Sequence, residues 1–138
     1  MRNTAEIIYT GNLHTEATHI QSGTVISTDA PKDNEGKGEA FSPTDLLATS
    51  LATCILTTMA IVAKRDGVAR NIDNAKAEVV KVMQTNPRRV AEVHVKITFP
   101  QNYDEKERQI LENAAHSCPV AKSLHPDLKQ IVEFIYPS

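Results

Sequence analysis

The chain has 138 residues, 41% of them hydrophobic and 23% charged, the length and balance of one globular domain with a core of its own. Its formal net charge is −2, and its densest basic patch is Arg88-Arg89, so it has no basic stripe of the kind that holds nucleic acid. Trp is absent and Phe and Tyr number three each, which leaves Ala, Val, Ile and Leu to build the core.

The N-terminus, Met1 to Glu6, leads directly into β-type sequence without an apolar h-region. That pattern predicts no secretory signal, a reducing cytoplasmic setting and no permanent structural disulfide. Residues 5–28 read as two or three short strands: Ile7-Ile8-Tyr9 is apolar, Gly11-Asn12 is a turn signal, and Thr24 to Thr28 is β-branched. Residues 29–41 form a polar loop containing Gly36 and Gly38. Ser42-Pro43-Thr44-Asp45 then reads as a helix start, with Ser42 as N-cap, Pro43 in the first turn and Asp45 closing a capping box.

The helix is expected to run to about Arg65, where Asp66-Gly67 ends it. Leu46 to Ala63 is 18 residues without a charge, the edge of transmembrane length. Thr49, Ser50, Thr53, Thr57 and Thr58 make it too polar for a lone span, so a buried central helix is expected. Ser50, Cys54 and Thr58 share one helical line, and Thr49, Thr53 and Thr57 the next. Residues 72–84 and 90–99 read as a hairpin turned at Asn86-Pro87-Arg88, with Val93, Val95, Ile97 and Phe99 alternating cleanly. Asp104 caps a second helix to about Ser117, Pro119 opens a short helical turn, and Lys129 to Tyr136 is a last strand.

This order predicts an α+β fold in one domain, residues 1–138. A small domain has little sheet of its own to wrap around an uncharged helix. A homodimer is therefore expected.

Candidate chemistry rests on Cys54 and Cys118, the only two cysteines. Each has a plain reading, Cys54 as a small buried hydrophobe and Cys118 as a helix-junction residue. Each also has a functional reading as a reactive thiol. Cys118 precedes Pro119 at a helix start, where amides and the helix dipole favour a thiolate, and His116 is two residues away. Local physics thus predicts Cys118 as the more acidic thiol. Asp45 reads first as a capping residue; nine residues put it on the opposite side of an ideal helix from Cys54. The five histidines, His14, His19, His94, His116 and His125, are scattered, and no Cys-x-x-Cys occurs, so no metal site is expected. Serine-hydrolase, P-loop and dinucleotide signatures are absent.

Two segments carry a resemblance. F-S-P-T-D-L-L-A-T-S-L-A-T-C, residues 41–54, resembles the central-helix signature of the OsmC/Ohr family of osmotically inducible and organic hydroperoxide resistance proteins. S-C-P-V-A-K-S-L, residues 117–124, resembles that family's second-cysteine motif. The resemblance covers most of residues 5–136. It implies an intertwined homodimer with antiparallel sheets shared around long central helices. It also implies thiol peroxidase chemistry without metal, haem or other cofactor. Cys54 would be the peroxidatic thiol, Cys118 the resolving one and an external dithiol the reductant, with an organic hydroperoxide as substrate. The family's peroxidases carry a glutamate ten residues before the first cysteine, where this chain has Thr44. Asp45 resembles the acidic position of more distant members and is the candidate third catalytic residue. Those peroxidases also use an N-terminal arginine, and this chain has none between Arg2 and Arg65. These departures leave a second reading, a non-peroxidase dimer that binds a small apolar or thiol-bearing ligand beside Cys54.

Overall fold

The computed structural model describes residues 1–138. Its strands are β1 (Ala5–Gly11), β2 (His14–His19), β3 (Val25–Asp29), β4 (Lys76–Gln84), β5 (Arg89–Thr98) and β6 (Lys129–Ile135). Its helices are α1 (Pro43–Arg65), α2 (Glu105–Ala115) and α3 (Pro119–Ser123), with a 3-10 turn at Lys32–Asn34. The chain forms two compact units, Met1–Leu46 and Leu47–Ser138.

The first unit is an antiparallel meander in the order β1-β2-β3. Ile7 stands opposite Ala17, and Ala17 opposite Ile26, which makes an apolar row across one face. Ile7, Ile8, Tyr9, Val25 and Ile26 are all exposed. The β1–β2 turn needs positive φ at both central residues, Asn12 (56°) and Leu13 (60°). Asparagine accepts this readily, whereas leucine does not. Leu13 is held there because its N–H donates to the Tyr9 hydroxyl at 3.2 Å and its carbonyl accepts from Ala30 N–H at 3.0 Å. The loop after β3 folds tightly back on itself. A Cβ at Gly36 would lie 1.7 Å from the Ala30 carbonyl oxygen, so only glycine fits there.

That loop delivers the predicted start of α1. Asp45 N–H donates to Ser42 Oγ at 3.1 Å, and Ser42 N–H donates to the Asp45 carboxylate at 3.0 Å. Two of the amides that a helix start leaves without partners are thereby satisfied.

The second unit holds the core. Its sheet runs β4-β5-β6. β4 pairs antiparallel with β5, while β6 pairs parallel with β5, with Val95 opposite Val132. A parallel neighbour requires a crossover, which the α2–α3 segment supplies. Alternate residues of β5 and its extension, Val93, Val95, Ile97 and Phe99, are buried. They join one cluster with Leu111, Ala114 and Ala115 of α2 and with Ala48, Leu51, Ala52, Ile55, Met59 and Ala63 of α1. Asp104 and Glu107 form a full capping box on α2. Tyr136 stacks on Phe99 with centroids 4.7 Å apart, and the Arg108 guanidinium lies 4.0 Å from the Tyr136 ring centre.

Two expectations change in detail. The first hairpin strand begins at Lys76 rather than residue 72, because Asp73-Asn74 form a turn with Asn74 at φ 70°. α2 stops at Ala115, with His116 as its C-cap. The apolar stripe of α1 is in the core, and Thr53, Thr57, Ala60 and Ile61 are exposed in the single chain. By length and composition alone α1 could cross a bilayer, yet that stripe is part of the packed core of the second unit.

Leu51 is fully buried, so Leu51→Ala should destabilise by about 2–5 kcal/mol. Ser42→Ala, which removes the cap acceptor, should cost about 1 kcal/mol. Urea unfolding of both variants checks this. Equal, negligible effects would contradict the packing of α1 described above.

Candidate thiol site

Cys54 lies on α1 at the shoulder of the buried stripe. It is half-buried, whereas Cys118 is wholly buried. The Cys54 sulfur is 3.9 Å from the Thr58 hydroxyl one turn along the helix, as their shared helical line predicts. Cys118 is the N-cap of α3, with φ −70° and ψ 144°, and its sulfur accepts from Ala121 N–H at 3.3 Å. Pro119 in the first helical position fixes this entry. The two thiols, 64 residues apart in sequence, lie close enough to interact directly.

Burial corrects the expectation about acidity. Burial pushes the Cys118 thiol above its ordinary value of 9.0. The α3 amides pull the other way, but the neighbouring Cys54 adds a further upward push by hydrogen bond and charge. The N-cap amides are present as predicted and are outweighed by desolvation. The exposed His116 ring lies edge-on to Phe134 with centroids 6.2 Å apart. Cys118 is therefore a thiol held protonated, and Cys54 is the more accessible sulfur.

The third candidate, Asp45, sits in the first turn of α1. Its carboxylate closes the Ser42 capping box, the plainer of its two sequence readings.

A second polar cluster escaped the sequence reading, which saw only scattered histidines. The β2–β3 register sets His14 opposite Asp29, and His14 Nδ1 lies 2.6 Å from Asp29 Oδ1. The hydrogen bond from His14 holds the Asp29 carboxyl below the usual carboxylate range, helped by the Glu39 amide and the charge of Lys37 and opposed by burial. The signal available beforehand was strand alternation, which puts both side chains on one face once the register is known.

The thiol site makes a measurable prediction. Because the folded pKa of Cys118 is raised, its proton adds stability at pH values below the ordinary thiol value of 9.0. That stability is lost as pH rises through the higher folded value. Native protein at neutral pH should be alkylated by iodoacetamide at Cys54 and spared at Cys118. Peptide mapping checks this, and preferential labelling of Cys118 would contradict it.

Known proteins share this fold. The family model described as OsmC-like protein matches residues 36–133. No curated protein matches the chain. Among solved structures, a Psychrobacter arcticus 273-4 protein, provisionally assigned to the osmotic stress induced and detoxification response, is 54% identical. The match covers 97% of this chain and 96% of that one, with a TM-score of 0.92. The organic hydroperoxide resistance protein OsmC of Legionella pneumophila matches at 13% identity, over 96% of this chain and 97% of its own, with a TM-score of 0.76. OhrB of Bacillus subtilis, an organic hydroperoxide resistance protein, matches at 21% identity over 96% and 98%, with a TM-score of 0.65. The last two establish likeness of fold, α+β as expected from the sequence. With the family model spanning most of the sequence and a close relative matching nearly end to end, the chain belongs to the OsmC-like protein family.

Proposed function

We propose that the protein is a thiol-dependent peroxidase that reduces organic hydroperoxides in stress defence. The carrying observation is the pairing of a half-buried Cys54 with a buried Cys118 whose thiol is kept protonated by burial and, to a lesser degree, by Cys54. The names of the hydroperoxide resistance relatives support the substrate class.

The chemistry follows from the roles that this asymmetry suggests. The Cys54 thiolate attacks the terminal oxygen of ROOH, the O–O bond breaks, and the alkoxide takes a proton and leaves as ROH. Cys54 is left as a sulfenic acid. The Cys118 thiol then gives up its proton as its sulfur attacks the Cys54 sulfur. Water departs and a disulfide remains. An external dithiol supplies two electrons to restore both thiols. Burial suits Cys118 to the second step, since a protonated, shielded thiol does not compete for peroxide.

Asp45 takes part by fixing the start of α1, the helix that carries Cys54. A homodimer suits the open apolar residues of β1 and β3 and the exposed Ile61 of α1. The single-domain, cytoplasmic, cofactor-free reading of the sequence belongs to the same proposal.

Cumene hydroperoxide consumption with a small dithiol tests it. Cys54→Ser should lower turnover by more than about 100-fold. Cys118→Ser should still consume one peroxide per protomer and accumulate a Cys54 sulfenic acid that dimedone traps. Undiminished turnover in Cys54→Ser would refute the assignment.

A further inference from the structure

The hairpin unit contains a cavity of about 440 Å³, lined by residues that include Asn12, His14, Ser27, Asp29, Lys37 and Glu39. Three independent features meet there. The first is the His14–Asp29 pair. Asp29 is buried, with one oxygen 2.6 Å from His14 Nδ1 and the other accepting from Glu39 N–H at 3.0 Å. With Nδ1 so engaged, Nε2 is the ring nitrogen left to the cavity. The second is Lys37, whose ammonium is close enough to act electrostatically on Asp29. The third is the adjoining hairpin turn, whose positive φ at Asn12 and Leu13 sets His14 at the head of β2.

The balance of groups indicates what fits. Both oxygens of Asp29 are already engaged by donors, so its charge is largely spent within the protein. Lys37, the Asn12 amide and the Ser27 hydroxyl are available to donate, and His14 Nε2 donates as well when the ring is an imidazolium. The Glu39 and Lys37 side chains are both exposed, so water screens both charges alike. The volume lies within the roughly 300–1,000 Å³ of ordinary small-molecule sites, and it exceeds what a single inorganic ion fills.

We propose that this cavity binds a small organic anion whose carboxylate or phosphate group is held between His14 and Lys37, with Asp29 fixing the His14 ring. The site lies wholly within residues 10–40. It does not depend on the thiol chemistry proposed above.

Acetate and inorganic phosphate serve as probes of the two head groups. Each is titrated in the millimolar range into the full-length protein while the His14 ring resonances are followed by NMR. At least one anion should shift the His14 signals saturably. Lys37→Ala, at an exposed position, should weaken that binding by about tenfold or more, and Lys37→Arg should restore it. His14→Gln should weaken it similarly. Response to phosphate alone identifies a phosphate ester as the ligand class, response to acetate alone a carboxylic acid, and response to both the shared oxyanion. If neither probe shifts His14, or if Lys37→Ala binds as tightly as the parent protein, the proposal is overturned.

Discussion

The packing of one stripe of α1 into the core of the second unit is the constraint on which the thiol site depends. Ala48, Leu51, Ala52, Ile55, Met59 and Ala63 are buried in one cluster with alternate residues of β5 and the apolar side of α2. This fixes the rotation of α1 about its axis. Once the rotation is fixed, Cys54 stands at the shoulder of the stripe, half in the core and half out. The parallel crossover through α2 and α3 brings Cys118 back to the same core as the cap of α3. Two residues 64 positions apart become neighbours through side-chain packing, with no covalent link or metal required.

Asymmetry is the chemical consequence. Both sulfurs belong to the same cluster, but only Cys118 is completely shut away from water. Desolvation disfavours the charged thiolate more than one amide hydrogen bond and a short helix favour it. The buried member of the pair is thus kept protonated, while the half-buried Cys54 is open to solvent.

Much of this was legible in the sequence because the signals are local. The Ser42–Asp45 and Asp104–Glu107 boxes, the alternation of Val93, Val95 and Ile97, and the cap position of Cys118 each depend on a few neighbouring residues. What was not legible depends on distant ones. The acidity of Cys118 was misjudged because its amides are visible in the motif and its burial is not. The His14–Asp29 pair needed the β2–β3 register. An uncharged helix also does not say which of its faces its own chain covers. Thr53, Thr57 and Ile61 sit on the exposed side of α1, and one three-stranded sheet covers only one face of a helix.

We propose that Cys54 and Cys118 of one chain act as a single redox unit. Its most direct test is mass spectrometry of the reduced protein after one equivalent of an organic hydroperoxide, with non-reducing peptide mapping. The expected product is a Cys54–Cys118 linked peptide within one chain, formed in step with loss of the peroxide. Two free thiols after the peroxide is added, or a Cys54–Cys54 link between chains as the main product, would contradict it.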